Sequence, residues 1–419
     1  MADSKRDRRT KAVGADSSSP VHAALDDEGV PLEHFEFGGS LGNAALIVGF
    51  PLIMWYMFVG ATYYDGQLPF SSDEQSWAEF ARHLASLAYA GAFPTRKAWA
   101  IYWSFFVMEV MFYYTLPGVT SYGKQLRHAG GKQLKYFCNA YISFYTTILV
   151  VTILHLTEIF PLYTVIDEFG PIMSVAILSG FINSILVYVS AMAGERTHQL
   201  TGYPIYDFFM GAELNPRIGI LDLKTFYEVR IPWFILFLIS SATAVRQYES
   251  YGYVSKEVAF IVAAHFLYAN ACAKGEHLII TSWDMYFEKL GFMLTFWNMA
   301  GVPFSYCHCA VYLANHDPSE YRWGTLPLAT LSLAYLFFYW VWDTANGQKN
   351  GFRQMERGQL LDRQTWPRLP WLVVESPKAI ETTTGDRILA DGWFGIVRKP
   401  HYTADMFFAT SWALVTGFK

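Results

Sequence analysis

Two cations, Lys349 and Arg353, stand four residues apart in the stretch DTANGQKNGFRQ, which runs from Asp343 to Gln354. Side chains with this spacing lie on one face of a helix, one turn apart, so both point toward the same spot. Such a pair suits a dianionic phosphate, and Arg adds a planar fork of donors. The alternative is a pair of interfacial anchors, because the stretch directly follows the apolar run TLPLATLSLAYLFFYWVW.

The composition indicates which kind of element carries this pair. Hydrophobic residues make up 53% of the 419 residues and aromatic residues 18%, against 16% charged, and the apolar residues are gathered into long blocks. We therefore expect an all-α polytopic membrane protein. Since about 20 apolar residues cross a bilayer core, the sequence predicts eight spans, at 43–63, 99–119, 139–164, 169–193, 231–247, 256–273, 291–314 and 324–342. A ninth apolar run begins at Met406 and is cut off at Lys419, so we expect a truncated ninth helix.

The positions of Lys and Arg predict the orientation. Cations cluster in residues 5–11, before the first span, and in residues 124–135, between the second and third. Both segments, the loop after the fourth span and everything after the eighth are therefore expected in the cytosol, and the loop 64–98 on the opposite side. Residues 1–36 are polar, without an apolar core of the signal-peptide type. They are predicted to form a disordered cytosolic tail ahead of a transmembrane domain, 37–419.

Several classes of function lack their signatures in this sequence. There is no Walker motif, no GxGxxG after a strand, no HExxH and no nucleophile elbow, and a net charge of −5 gives no nucleic-acid footprint. Cys307, His308 and Cys309 are consecutive, so on a helix they point about 100° apart and do not suit one metal ion. No metal site is predicted, and the cysteines are expected to be buried thiols.

Ionisable residues inside the predicted spans mark the interior of the bundle, because they are costly in lipid. They are Glu109, His155, Glu158 and His265. Each could be a packing or interface residue, yet together they indicate a polar cavity. The segment GYPIYDFFMGAELNPR, residues 202–217, is expected to be re-entrant or packed against the bundle, where irregular backbone must be protein-buried.

Three stretches resemble signatures of the sterol reductase family, in the family's order. GYPIYDFFMGAELNPR resembles the first, ANGQKNGFR resembles the Asn-x-Gln-Lys-x-x-x-Arg stretch, and GWFGIVRKPHYTAD resembles the Gly-Trp-x-Gly-x-x-Arg-x-x-Asn-Tyr-x-Gly-Asp stretch. The resemblance runs from about Phe37 to the end of the chain. The sequence GAELNPRIGILDLKTFYEVRIPWFILF is most similar to the fungal C-24(28) sterol reductases of ergosterol synthesis. C-14 and C-7 reductases typically read Arg-Pro-Gly where this chain has RIPWF.

This resemblance implies a sterol reductase-type helical bundle in the endoplasmic reticulum membrane, with its N-terminus in the cytosol. It implies NADPH-dependent reduction of the C-24(28) double bond of a sterol, the last step of ergosterol biosynthesis, alongside other enzymes of that pathway. His401 stands where the family has Asn, and Ala404 where it has Gly. By the family's pattern, the residues that bind the cofactor are Lys349, Arg353, Leu389, Phe394, Arg398, His401 and Tyr402.

The implied chemistry requires a proton donor, since an isolated alkene is not polarised for hydride attack. The proton adds to C-28, and the cationic character left at tertiary C-24 then accepts the hydride. Aromatic side chains suit both the flat sterol and the transient cation. The candidate proton donors are Asp405, Tyr402 and Asp207, with Tyr206 beside the last. Asp405 is alternatively an ordinary charge at a helix N-terminus.

Other interpretations stay open at this point. A sterol C-14 or C-7 reductase shares every motif. A membrane methyltransferase of the isoprenylcysteine type has a comparable C-terminal topology but requires S-adenosylmethionine, and a non-catalytic, receptor-like member of the fold binds sterol without reducing it. Family members continue past the last motif into a further membrane stretch and a basic segment. By that comparison the chain is expected to lack one wall of its cofactor pocket and to be nearly inactive.

Overall fold

The computed structural model describes residues 35–71, 75–126, 130–356, 358, 365–382 and 387–417. The predicted tail 1–36 lies outside the described residues except for Phe35 and Glu36. The helices, in chain order, are α1 Gly39–Tyr63, α2 Trp77–Ala92, α3 Arg96–Thr115, α4 Ala140–Leu156, α5 Thr164–Asp167, α6 Phe169–Ala193, α7 Pro204–Met210, α8 Leu223–Val229, α9 Ile231–Tyr251, α10 Lys256–Lys274, α11 Glu276–Ile279, α12 Trp283–Tyr286, α13 Phe292–Phe296, α14 Val302–Ser305, α15 His308–Asn315, α16 Thr325–Met355 and α17 Pro400–Leu414.

Strands are few and short among the described residues. They pair as three antiparallel two-stranded ladders. Their bounds are β1 Val119–Leu126 with β2 Lys132–Cys138, β3 Arg217–Ile218 with β4 Leu221–Asp222, and β5 Ala379–Glu381 with β6 Arg387–Leu389. Short 3₁₀ turns cover Glu36–Gly38 and Gly392–Gly395, and a π turn covers Trp297–Gly301.

Side-chain caps define where several helices begin. Ser76 accepts from the backbone N–H of Glu79, and the Glu79 carboxylate accepts from the backbone N–H of Ser76, which is a complete capping box at the start of α2. Thr95 caps α3 through the N–H of Ala98 at 3.0 Å, and Ser255 caps α10. These local signals begin the helices at fixed residues, and packing of apolar faces supplies most of their stability.

Four helical segments among the described residues are long and apolar enough to span a membrane. They are Glu36–Tyr63, Phe169–Ala193, Leu223–Tyr251 and Thr325–Met355. Helix is also present at the other four predicted spans, in α3, α4, α10 and the α13–α15 region. The chain is therefore a mostly helical protein with apolar membrane helices, and the predicted number of eight spans remains a prediction.

The predicted span 291–314 is wrong as a single helix. It is broken into α13, the π turn, α14 and α15. Gly301 lies in the π turn, and a Cβ there would lie 2.3 Å from the ring of Trp297, so the turn requires glycine. Pro303 follows directly in α14, where its ring cannot continue a regular hydrogen-bond ladder.

Segments that were predicted to be loops contain helices and strands. The loop 64–98 contains α2, which packs against α1 and α6. Of the basic segment 124–135, residues 124–126 lie in β1 and residues 132–135 in β2. The segment 202–217 forms α7 and a buried turn against α1 and α13, with Phe209 and Ala212 almost fully buried. This packing agrees with the expected placement against the bundle.

Contacts between helix ends define two ends of the bundle. The start of α9, at Arg230, lies beside Glu276, which directly follows α10, and Lys274 of α10 contacts Asp343 of α16. We call this side the Arg230 end. At the other side, which we call the Arg246 end, Gln247 donates to the Tyr321 hydroxyl at 2.6 Å. There Lys256 donates to Thr325 at the start of α16.

A buried charge cluster holds the Arg230 end together. The Arg230 guanidinium has no solvent exposure and donates to Ser143 Oγ at 2.6 Å, to Asn139 Oδ1 and to Glu276 Oε1 at 3.4 Å. Its Nη1 lies 3.8 Å from Glu109 Oε2. This single residue therefore connects α3, the start of α4, α9 and α11. It also provides the positive partner for Glu109, the acidic residue inside a predicted span.

The two carboxylates of the cluster, Glu109 and Glu276, also accept hydrogen bonds from neighbouring residues. Glu276 Oε2 accepts from the backbone N–H of Ala140 at 2.8 Å, and Glu109 Oε1 accepts from the Thr147 hydroxyl. The ring of Tyr113 lies under the guanidinium, with its centroid 5.0 Å from Cζ. Removing the cation would leave both carboxylates buried without a positive partner, which is far more costly than breaking a solvated ion pair.

We expect the substitution Arg230→Met to destabilise the protein by roughly 3–5 kcal/mol. Among the described residues, Arg230 is the cation that pairs with the buried carboxylates of Glu109 and Glu276, and the substitution removes it. The measurement is the denaturation midpoint of the purified protein in detergent. Lys97→Met is the matched control, since it breaks the partly exposed Lys97–Glu168 pair at 3.1 Å and should cost less than about 1 kcal/mol. Equal stability of the two variants would contradict this account.

Candidate functional site

Lys349 and Arg353 occupy the last two turns of α16, on the Arg230 end of the bundle. Both side chains are half-buried, and Lys349 interacts electrostatically with Arg353 and with Lys399, which immediately precedes α17. Three cations from two different elements therefore meet at one place. We call these residues the cationic cluster.

The loop before α17 is fastened to α16 beside this cluster. Gln348 accepts from the backbone N–H of Trp393 at 3.0 Å and donates to the carbonyl of Trp371 at 2.9 Å. The Trp393 indole N–H donates to Thr344 Oγ1 at 2.8 Å. Gln348 thus joins two separate loop segments to one helix, directly next to Lys349.

Two glycines allow this close approach. A Cβ on Gly347 would lie 2.3 Å from Leu372 Cδ1 and 3.2 Å from the Leu372 carbonyl oxygen, so a side chain there would displace Leu372. Gly392 has φ +57°, and a Cβ on it would lie 2.4 Å from Gln348 Oε1. Both positions need glycine for space, and Gly392 needs it for its backbone conformation as well.

The other predicted cofactor residues differ in exposure. Leu389 is buried in β6, and Phe394 lies in the 3₁₀ turn with its ring centroid 6.1 Å from that of His401. Arg398 is exposed. Tyr402 is 53% exposed, and the Lys399 ammonium lies 4.9 Å from its ring centroid. A side chain this open is a poor candidate for a buried proton donor.

His401 faces the cationic cluster from the first turn of α17. Burial, together with the charges of Lys349 and Lys399, lowers the pKa of His401 to about 4, so its ring is neutral at pH 7. Its Nδ1 is buried and forms no hydrogen bond within the described residues. At this position the chain therefore presents a neutral side chain with a free polar atom.

Asp405 lies in the second turn of α17, beyond the first turn in which a helix dipole favours a carboxylate. The Tyr268 hydroxyl of α10 donates to Asp405 Oδ1 at 3.3 Å. The ring of Tyr268 is enclosed by indoles, with centroids 4.7 Å from Trp233, 5.0 Å from Trp342 and 5.6 Å from Trp412. The structure thus brings Asp405 together with a half-buried phenol in an aromatic enclosure.

Sequence reasoning missed Tyr268. It lies three residues after His265, on the same face of α10, and His265 packs against Trp412 at 4.7 Å between centroids. The sequence pattern singled out the ionisable His265, while a tyrosine in a chain with 27 tyrosines gave no separate signal. Gln348 and Trp393 were likewise quoted within motifs, without an assigned role.

Asp207 lies elsewhere, in α7. Its Oδ1 accepts from the backbone N–H and the hydroxyl of Thr201 at 2.9 and 2.8 Å, and its Oδ2 accepts from the N–H of Gly202 at 3.0 Å. The neighbouring Tyr206 accepts from the N–H of Glu36 at 3.3 Å. These bonds satisfy the buried Asp207 carboxylate, which thereby fixes its own loop. α7 packs against α1 and α13 rather than against α17.

The cationic cluster is suited to an anionic cofactor and not to a metal. Three positive side chains that repel one another are stabilised by a multiply charged phosphate, and the unpartnered Nδ1 of His401 offers a further polar contact. Within the described residues no three His, Cys, Asp or Glu side chains are grouped as metal ligands. The residues present therefore fit a phosphorylated cofactor.

Comparison with known proteins identifies the family. The chain matches the description "Ergosterol biosynthesis ERG4/ERG24 family" over residues 32–419. The chain belongs to the ERG4/ERG24 family. The resemblance inferred from three motifs is thereby confirmed. The matched range includes every helix and strand described above.

Named relatives fall into two groups of similarity. A Delta(24(24(1)))-sterol reductase of Gibberella zeae is 61% identical over 385 residues, covering 92% of this chain and 64% of that protein. The Delta(24(24(1)))-sterol reductase erg4A of Aspergillus fumigatus is 58% identical, covering 98% of this chain and 87% of that protein. A Delta(14)-sterol reductase of Methylotuvimicrobium alcaliphilum is 31% identical, covering 94% and 86%. This ERG4/ERG24 chain thus spans less than two thirds of the length of the Gibberella zeae relative.

We expect Gly392→Ala to destabilise the docked loop, because the new Cβ would meet Gln348 and Val374 at 2.4 and 2.9 Å. Gly358→Ala is the matched control, since Gly358 has a similar φ of +66°, and a Cβ there would have no atom of the described residues within 4 Å. Both variants bear the cost of a positive φ, and Gly392→Ala should cost roughly 1–3 kcal/mol more because of the added contact. Thermal unfolding in detergent measures the difference, and equal midpoints would show that the loop is not held by this contact.

Proposed function

We propose that this protein is an NADPH-dependent reductase of the C-24(28) double bond of a sterol, acting in the last step of ergosterol biosynthesis. The observation that carries the proposal is the gap in similarity between the two kinds of relative. Proteins named Delta(24(24(1)))-sterol reductase are 58–61% identical to this chain, whereas those named Delta(14)-sterol reductase are 28–31% identical. This gap supports C-24(28) reduction over the alternative C-14 reduction.

The test of this function is a substrate panel. Membranes containing this chain are incubated with NADPH and, separately, with sterols unsaturated at C-24(28), at C-14 and at C-7, and the products are identified by mass spectrometry. We expect any reduction that is detected to remove the C-24(28) double bond alone. Reduction at C-14 or C-7 would contradict the proposal, and binding of S-adenosylmethionine with methyl transfer would replace it with the methyltransferase interpretation.

We also propose the membrane arrangement that this function requires. Eight spans and the short ninth helix lie in the endoplasmic reticulum membrane, with the N-terminal tail 1–36 in the cytosol ahead of the membrane domain 37–419. The β1–β2 hairpin, with exposed Lys132, and the cationic cluster share the Arg230 end, which supports a cytosolic position for both. Other enzymes of the ergosterol pathway are the expected neighbours.

The cofactor proposal assigns roles to the cluster. Lys349, Arg353 and Lys399 hold the phosphates of NADPH, either the 2′-phosphate or the pyrophosphate. Leu389, Phe394, His401 and Tyr402 line its adenine and nicotinamide ends, and Arg398 adds positive charge at the surface. The Gln348 contacts keep the two loop segments against α16, which supports this grouping.

We expect Arg353→Ala to raise the Kd for NADPH roughly ten- to hundredfold, because a charge-assisted hydrogen bond is worth about 1.5–3 kcal/mol. The KM for sterol should change little. Binding is measured by titration of the purified protein, with Lys132→Ala as a control that removes an exposed cation at the same end of the bundle. Equal losses for sterol and NADPH, or no loss, would favour a membrane-anchor role.

The proposed mechanism uses the Tyr268–Asp405 pair as the source of the proton. NADPH, when bound, supplies the hydride. The Tyr268 hydroxyl donates to Asp405 Oδ1, so a protonated Asp405 can give its proton to C-28 of the alkene while this hydrogen bond stabilises the carboxylate that remains. The indoles of Trp233, Trp342 and Trp412 exclude water and face the developing positive charge at C-24 with their π electrons. The sterol then gains one proton and one hydride, and Asp405 recovers its proton from the cytosolic side.

We expect Asp405→Asn and Tyr268→Phe each to lower kcat roughly 10²–10⁴-fold, the usual contribution of a positioned acid. NADPH affinity should be retained. If the two residues act as one unit, the double variant should be no slower than the slower single variant. Thr410→Ala, on the exposed face of the same helix, is the control. Full activity of Asp405→Asn would exclude this pair as the proton source.

A further inference from the structure

A polar cavity of about 400 Å³ lies at the Arg246 end, away from the cationic cluster. Its walls come from α1, α2, the α5–α6 junction, α9 and α15, so five parts of the chain must assemble to form it. Its polar lining side chains include Thr62, Tyr63, Asp167, Arg246, Ser250 and Asn315. None of these residues has a role in the proposed reduction.

Opposite charges lie side by side on one wall of this cavity. Arg246 Nη1 is 3.2 Å from Asp167 Oδ1, and the two side chains are 41% and 38% exposed. The ring of Tyr163 lies 5.9 Å from the guanidinium carbon. Because each group keeps part of its surface open to the cavity, each can form further hydrogen bonds without separating from the other.

The floor of the cavity is a tight backbone contact. A Cβ on Gly170 would lie 2.3 Å from the carbonyl oxygen of Gly91, and a Cβ on Gly91 would lie 2.3 Å from the Tyr63 hydroxyl. α1, α2 and α6 therefore pack closely together beside the cavity.

The ends of three long helices indicate what surrounds the cavity. α1 ends at Tyr63 and α9 at Tyr251, and α6 begins at Phe169, so three of the long apolar segments terminate around this cavity. The ends of helices that cross a bilayer core lie at the level of the lipid headgroups. A ligand that enters here from the membrane presents its polar head.

We propose that this cavity binds the headgroup of a zwitterionic phospholipid, with its phosphate on Arg246 and its ammonium group on Asp167. The paired charges match a headgroup that carries both signs a short distance apart. A purely anionic headgroup would bring its charge close to Asp167 with no compensating group. The hydroxyl groups of Thr62 and Ser250 and the amide of Asn315 complete the hydrogen bonds of the phosphate and glycerol oxygens.

The test is native mass spectrometry of the full chain, purified in detergent and supplied separately with phosphatidylethanolamine, phosphatidylcholine and phosphatidylglycerol. We expect one zwitterionic lipid to be retained and phosphatidylglycerol to be lost. Arg246→Gln should lower retention roughly tenfold or more, as expected for a lost charge-assisted bond. Ser250→Leu, which fills the cavity without changing its charge, should do the same and keeps the test decisive if Arg246→Gln does not fold.

The control is the double variant Lys97→Gln, Glu168→Gln, which removes a neighbouring ion pair that does not line the cavity and should retain lipid normally. Retention of phosphatidylglycerol at the same level, or unchanged retention in Arg246→Gln and Ser250→Leu, would overturn the proposal. Displacement of the lipid by an equal concentration of soluble glycerophosphoethanolamine would show that the ligand is a free phosphate ester and would also overturn it.

Discussion

The ion pair between Lys274 and Asp343 determines how α10, which carries Tyr268, faces α16, which carries Lys349. Lys274 Nζ lies 3.0 Å from Asp343 Oδ2, with both side chains almost fully buried, and it also donates to the carbonyl of Pro367 at 2.9 Å. Tyr268 lies on α10 less than two turns before Lys274, and Lys349 on α16 less than two turns after Asp343. A buried pair of this kind adds little net stability because both charges lose their hydration, and its best-attested effect is to select one register.

The sequence contained enough to predict the outline of the protein. Long apolar blocks predicted helices where α1, α6, α9 and α16 are found, because a bilayer imposes length and hydrophobicity on any crossing segment. The spacing of Lys349 and Arg353 predicted a shared face, and α16 does continue through both residues. These inferences succeeded because they depend on neighbours in the chain, for which helical geometry gives the answer.

The parts that the sequence did not predict depend on contacts between distant residues. Tyr268 meets Asp405 across 137 positions, and Gln348 meets Trp393 across 45. No local pattern separates Asp207, which fixes its own loop, from Asp405, which meets the half-buried phenol of Tyr268, since both are single acids among aromatic residues. The break at Gly301 and Pro303 was hidden for another reason: the hydropathy of the run is continuous, and only the backbone requirement of those two residues interrupts the helix.

The indoles beside the cationic cluster have an optical consequence. Trp393 lies with its ring centroid 5.1 Å from Trp340 and 4.9 Å from Trp371, and its backbone is bonded to Gln348, the neighbour of Lys349. Tryptophan emits light in the range in which a reduced nicotinamide absorbs, so excitation of these three rings would pass by resonance transfer to a dinucleotide held at the cluster. The three indoles beside Lys349 would therefore act as intrinsic energy donors to the proposed dinucleotide, and a change in the emission of the unlabelled protein would report its binding.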